Sequence, residues 1–361
     1  MKHLFTPGPV PVPLSVVEAC AQPVLYHRSN EFRELSQRVW NGLQEIFVTT
    51  DPVLVLAGSG MTGIEACIAS TVCPGDRVLV LHHGRFGERL VTINQRYGAH
   101  VIELGVSWGE EITAVMVEDR LSGIGNITTV WLVHSETSTG VTLPLSEITS
   151  VIQRMAPDAL IMVDAVLSVA IEPVLTEEWN LDAVVSGVQK GLMCPPGLAA
   201  VAVSKRMIDR IHSVPTRSYT LDLATVLKDY ERGLFTWTPP VSLIAGLDVA
   251  LGMILKKGLP ATWADHQERA SHVRSLARSR RFSEFGAGTS CGVVVLQHNA
   301  IQSVIDELAT QHNIIVSGGQ DQLKGLIMRI GICGSYTSEM MNTLFLAIDA
   351  ILSTKNPTAP L

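Results

Sequence analysis

Six short runs rich in Val, Ile and Leu, most spaced widely enough for a helix between them, constrain this chain more than any other feature. VLVLA (53–57), RVLVL (77–81), HVIEL (100–104), TVWLV (129–133), LIMVD (160–164) and DAVVS (182–186) carry apolar residues on both faces, the pattern of strands buried in a parallel sheet. Between them GIEACIAST, FGERLVTINQRYG and LSEITSVIQRM place apolar residues at helical spacing. Strands alternating with helices predict a wound, mainly parallel α/β sheet. LAAVAV (198–203) follows too soon for a crossover helix and is expected to be an antiparallel neighbour.

The pattern changes after TWTPPVSL (236–243). A long helical run, IAGLDVALGMILKKG, leads into HQERASHVRSLARSRR, then GVVVLQ, a helix near 301–311, IIVSGG, LIMRIGI and a last helix. This predicts an arm over 1–20, a large domain over 21–254 and a smaller α+β domain over 255–361. The tail STKNPTAPL reads as frayed. With 361 residues, 47% of them hydrophobic, the chain can fill two such cores. A net charge of −7 leaves no basic footprint for nucleic acid or an anionic membrane, so small molecules are the expected partners. Cysteines at 20, 67, 73, 194, 291 and 333 form neither a disulfide framework nor a C-x-x-C pair. A reducing, cytoplasmic setting without a bound metal is expected. MKHLFTPGPVPVP lacks the apolar core of a signal peptide, and no apolar run is long enough to span a bilayer.

Four motifs stand at strand ends. GSGMTG (58–63) matches G-x-G-x-x-G, but RVLVL ends in His82-His83-Gly84, without the acid that a dinucleotide ribose needs. What remains is either a tight strand-to-helix turn or a phosphate cup of free backbone N–H groups with the Ser59 hydroxyl. Asp164 closes LIMVD, where a carboxylate either caps a helix or faces a cation. HSETSTG (134–140) is either a hydrogen-bonded turn or a hydroxyl-bearing site loop. Lys190 follows DAVVSGVQ and precedes GLMCPPG, with little around it to favour a solvated charge. An amine in a partly dry site has a lowered pKa and attacks carbonyls. Phosphate cup, buried carboxylate and reactive lysine are together the three anchors that pyridoxal 5'-phosphate needs for its phosphate, ring nitrogen and aldehyde.

The chain also resembles the class V aminotransferases of the fold-type I pyridoxal phosphate enzymes, in their alanine–glyoxylate, serine–glyoxylate and serine–pyruvate branch. FTPGPVPVP, HRSNEF, GSGMTGIEA, GRFGER, HSETSTG, VDAVLS, SGVQKGLMCPPG, TPPVSL and SGGQDQLKG with MRIG carry the likeness, in order, over nearly the whole chain. The resemblance implies Lys190 as covalent anchor and proton carrier and Asp164 as partner of the ring nitrogen. It also implies Ser59, Gly60 and Gln189 at the phosphate, Thr137 beside the ring and Phe86 stacked on it. Thr238 would reach the other subunit's phosphate in a homodimer with shared sites, and Arg329 would hold the substrate carboxylate in a two-pronged pair. Ping-pong transfer from alanine or serine to glyoxylate or pyruvate follows.

The departures from that pattern fall around the substrate pocket. Phe235 stands where many relatives carry a tyrosine, Met61 where some carry His or Thr, and Tyr26-His27 is bulkier than usual. RSYTLDL (217–223) and the shared HSET also resemble 2-aminoethylphosphonate–pyruvate aminotransferases, which carry Asn rather than Gln before the lysine; these rank second. A class V lyase such as a cysteine desulfurase would need a mobile thiol, for which Cys291 and Cys333 are the late candidates.

Overall fold

A computed structural model describes residues 2–355 of the chain. Seven strands form the central sheet: β1 (Val53–Gly58), β2 (Arg77–His82), β3 (His100–Gly105), β4 (Thr129–Val133), β5 (Leu160–Asp164), β6 (Ala183–Gly187) and β7 (Gly197–Val203). Their spatial order is β1-β7-β6-β5-β4-β2-β3, with parallel pairing from β6 through β3. β7 is antiparallel to both its neighbours, as the short return from β6 requires.

Two expectations change here. Among the described residues VLVLA has no parallel partner, because β7 doubles back between β6 and β1 and is the one strand bonded to β1. HVIEL is an edge strand in which Ile102 alone is buried, so it is not apolar-packed on both faces.

Alternation along the strands feeds two cores. Val55, Leu79, Leu81, Val130, Leu132, Ile161, Val163 and Val184 pack on one face, and Leu54, Val78, Val80, Trp131, Met162 and Val185 on the other. A sheet so covered leaves its strand ends as the place where polar groups can meet a ligand. Helices α1 (Gly60–Thr71) and α2 (Arg85–Arg96) start directly from the ends of β1 and β2.

Helix α3 (Val241–Lys257) turns at Gly258 into α4 (Leu259–Arg278). Beyond it β8 (Ser283–Glu284), β9 (Val293–Gln297), β10 (Ser317–Gly318) and β11 (Met328–Gly331) form an antiparallel sheet in the order β8-β9-β11-β10. Its core contains Val294, Leu296, Met328, Ile330 and Phe345, and also Phe5 from the amino terminus. The arm is tied into this sheet's surroundings: His3–Leu4 pairs in parallel with Ile314–Ile315, and Gly331 N–H donates to Phe5 O at 2.8 Å. The last helix, Ser338–Lys355, takes in the first three residues of the tail read as frayed. The remainder of that tail, 356–361, lies outside the described residues. Among the described residues no helix is long and apolar enough to cross a membrane, and no His, Cys, Asp and Glu group could hold a metal ion.

Candidate active site

A cavity of about 280 Å³ opens at the carboxyl ends of β1, β4, β5 and β6. Ser59, Gly60, Met61, Phe86, Thr137, Asp164, Gln189 and Lys190 all line it. At one end, β1 stops at Gly58 and α1 begins, and Ser59 N–H donates to Thr62 Oγ1 at 3.2 Å. Gly58 has φ +139, and a Cβ there would lie 2.2 Å from Thr62 Oγ1, so only glycine makes this turn. The first N–H groups of α1, with the positive end of its dipole, form an anion site.

Asp164 ends β5, and its Oδ1 accepts from Val166 N–H at 3.0 Å. Burial raises its pKa to about 7 despite that bond, and the nearby Glu136 adds to the rise. Lys190 stands in the turn after β6, closed by Met193 N–H on Lys190 O at 3.0 Å. It is 8% exposed, and its Nζ donates to Pro7 O of the arm at 2.6 Å. Burial pulls the amine below the usual lysine range, and the Arg329 charge adds to this. The arm leaves no slack over the lysine: a Cβ on Gly8 would come within 2.5 Å of Lys190 Cε.

Phe86 rises from the first turn of α2 with the Arg89 guanidinium 4.7 Å from its ring centroid. Arg329, on β11, approaches from the other sheet: Nε donates to Gly318 O at 2.9 Å and Nη1 to Thr137 O at 3.3 Å. It is 7% exposed; burial lowers its pKa, the Glu136 charge opposes this, and among the described residues it makes no ion pair with a carboxylate. Of its five N–H donors, two are spent on carbonyls.

Three residues named from the sequence are not brought to this cavity within one chain. Thr238, Tyr26 and His27 line a separate surface depression together with Val24 and Leu25. Thr238 also lines an apolar cavity of about 290 Å³ with Phe235, Trp237 and Tyr230. Phe235 stacks on Trp40 at 5.3 Å, an apolar use that a phosphate-binding tyrosine would not have.

Sequence reasoning missed Glu136, and it named the arm without its place over Lys190. Fully buried Glu136 accepts from Phe86 N–H (3.0 Å), Gly87 N–H (3.2 Å), Ser138 N–H (3.0 Å) and Ser138 Oγ (2.6 Å). It thereby fixes the Thr137 loop against the start of α2, which carries Phe86. The available signal was an acid in HSET and a helix opening at GRFGER whose first N–H groups lacked a cap.

An anion cup, a buried carboxylate and a desolvated amine around one cavity match the phosphate, ring nitrogen and aldehyde of pyridoxal phosphate. Gln189 Oε1, buried in that lining without a partner, marks a polar side chain still awaiting a ligand. The class V aminotransferase family model matches residues 4–339, and the chain belongs to that family. It is thus a pyridoxal phosphate-dependent aminotransferase with the fold-type I architecture.

Individual relatives match it over nearly its whole length. It is 34% identical to an uncharacterized aminotransferase of Methanocaldococcus jannaschii, over 95% of this chain and 91% of that one. It is also 34% identical to a protein described as the small subunit of a soluble hydrogenase of Synechococcus, over 97% and 92%. The crystal structure of the ureidoglycine–glyoxylate aminotransferase of Bacillus subtilis superposes with a TM-score of 0.94 at 29% identity, over 100% of this chain and 95% of that one. Serine–glyoxylate aminotransferases are among the other relatives, at 27% to 29% identity.

Proposed function

We propose that this enzyme moves the amino group of a small α-amino acid to glyoxylate or pyruvate, with Lys190, Asp164 and Arg329 as its working groups. The observation that carries this reading is Arg329: a buried guanidinium bonded to the cavity loop at Thr137 that, among the described residues, makes no ion pair with a carboxylate, although the Glu136 charge acts on it. A buried charge without an ion-pair partner is costly, so such a site suits an anionic ligand. A planar fork takes an α-carboxylate in two parallel bonds, which donor and acceptor each supply in turn. Glyoxylate as acceptor is supported by the names of several relatives; alanine and serine are the reference donors.

When bound, pyridoxal phosphate supplies an electron sink for the pair left by a removed α-proton. In this reading Ser59, Gly60, Met61 and Gln189 hold its phosphate end, Phe86 and Thr137 flank its ring, and Asp164 balances its ring nitrogen. The Lys190 amine, whose pKa burial lowers, takes the α-proton from the donor and delivers it again on the acceptor side. The Pro7 carbonyl gives that amine a hydrogen-bond partner when it is not engaged. Cys291 and Cys333 suit a desulfurase poorly: burial pushes the Cys291 thiol up to about 12 and also raises Cys333, so neither is a ready thiolate.

Arg329→Lys keeps the charge and loses the fork. One charge-assisted hydrogen bond is worth about 1.5–3 kcal/mol, so KM should rise roughly tenfold to a hundredfold for amino acid and oxo acid alike. The visible absorption of the bound cofactor should stay unchanged. Steady-state kinetics with both co-substrates checks this, and an unaltered KM for either would remove Arg329 from the clamp.

The reading extends to assembly and place. The β1–β7 unit and the unit after α3 would act as large and small domains, divided near residue 255. Thr238, Tyr26 and His27 would complete a partner's site in a homodimer, since the apolar surface beside them includes Val24 at 72% and Trp237 at 41% exposure. Sedimentation velocity should show a dimer at micromolar protein, and a fully active monomer would overturn the shared site. The six unpaired cysteines suit a reducing cytoplasm.

A further inference from the structure

Arg329 is not alone at the cavity's edge. Arg85, the first residue of α2, precedes Phe86, which lines the cavity, and its backbone N–H donates to Ser138 Oγ at 3.1 Å in the same loop as Thr137. Its guanidinium is ion-paired with the Asp321 carboxylate. Asp321 follows Gly318, the residue whose carbonyl accepts from Arg329, by three positions. One loop of the small sheet therefore holds both guanidinium groups, Arg329 through a carbonyl and Arg85 through a carboxylate. The two are close enough that the Arg85 charge helps lower the pKa of Arg329.

An exposed ion pair is ordinarily a weak feature, worth about 0–1 kcal/mol. This one differs in where it sits. Asp321 pairs with Arg85, while Arg329, whose pKa the Arg85 charge lowers, is held by the Gly318 and Thr137 carbonyls and makes no ion pair among the described residues. The Arg85 side chain is 31% exposed and that of Asp321 is 55% exposed, so the pair can open to a ligand without unpacking a core. Asp321 reaches Arg85 from a left-handed backbone conformation, φ +43, which non-glycine residues rarely adopt.

We propose that Arg85 reads a second carboxylate on the amino donor, so that among small amino acids the preferred class is a dicarboxylic one such as aspartate. The α-carboxylate pairs with Arg329 and the side-chain carboxylate displaces Asp321 from Arg85. Both arginines are then neutralised by one ligand, which neither alanine nor serine can do. Each donor gives up its amino group and becomes the matching oxo acid, while the acceptor becomes an amino acid, so no further co-reactant enters. This inference rests on the Arg329 clamp of the proposed function.

The test is steady-state kinetics of the holoenzyme with aspartate, alanine and serine against glyoxylate, for wild type, Arg85→Gln and Arg85→Lys. Wild type should favour aspartate over alanine in kcat/KM. Arg85→Gln should cut the aspartate-to-alanine ratio roughly tenfold to 150-fold, one lost charge-assisted contact, with the change in KM rather than kcat, and Arg85→Lys should restore part of it. Succinate, a dicarboxylate without an amino group, should compete with aspartate on wild type and at least tenfold more weakly on Arg85→Gln, whereas propionate should compete equally with both. An unchanged ratio, or an equal loss for all three donors, overturns the role of Arg85. Failure of the underlying reading looks different: no donor is turned over by wild type, or Arg329→Lys leaves every KM unaltered.

Discussion

Replacing Lys190 with alanine should abolish turnover. A positioned proton carrier alone contributes about 10²–10⁴ in rate, and this residue is also the proposed covalent anchor, so residual activity should fall below about 10⁻⁴ of wild type. Location supports the size of the effect. The amine is buried, its pKa is lowered, and its hydrogen bond goes to the Pro7 carbonyl rather than to an acid that would hold it charged. Borohydride reduction of the holoenzyme followed by peptide mapping should place the pyridoxyl group on Lys190. Label on any other lysine would refute the assignment, and Lys190→Ala protein should take up no label.

Asp164→Asn should have the next largest effect, with opposite signs in the two forms of the protein. In the holoenzyme an amide cannot balance a positive ring nitrogen. Breaking a buried pair costs about 3–5 kcal/mol, so kcat should fall about a hundredfold to a few thousandfold. In the apoprotein the carboxylate is a burden. Burial raises its folded pKa to about 7, above the unfolded value of about 3.9. The folded state therefore keeps the proton longer, and the Asp164 contribution to stability falls as pH rises from about 4 to about 7, then stays level. Asparagine does not titrate. Apo Asp164→Asn should gain Tm relative to apo wild type across that window and keep the gain at pH 8. A constant difference from pH 4 to pH 8 in thermal melts would show that Asp164 is not the group held protonated.

Much of this architecture was legible because its signals are local. Strand composition and spacing identify all seven strands of the main sheet, and the eleven-residue interval from Gly187 to Leu198 was enough to predict the antiparallel return. Lys190 and Asp164 could be paired because each ends a strand of one sheet, and sheets of this kind gather their chemistry at one edge. What escaped depends on partners far apart in sequence. The edge position of VLVLA follows from where β7 inserts, which no property of residues 53–57 encodes. Glu136 bonds to Phe86 and Gly87, about 50 residues away, and looked like any acid in a polar loop. Arg85 and Asp321 are 236 residues apart. Thr238, Tyr26 and His27 were named from resemblance alone, and a single chain gathers them at a different surface from Lys190.

The placement of the amino terminus has a consequence for how the molecule comes into being. Leu4 and Phe5 bond to Ile315 and Gly331, and Gly8 closes over Lys190. Leu4 and Phe5 thus have no seat until residues about three hundred positions further along the chain are in place. The β1–β7 sheet can assemble on its own contacts, but the arm over the cavity is anchored only once Ile315 and Gly331 are in place, and contacts so distant in sequence are slow to form. A chain halted after β7 would own its lysine, its carboxylate and its phosphate cup, and its arm would still lack the strands that anchor Leu4 and Phe5.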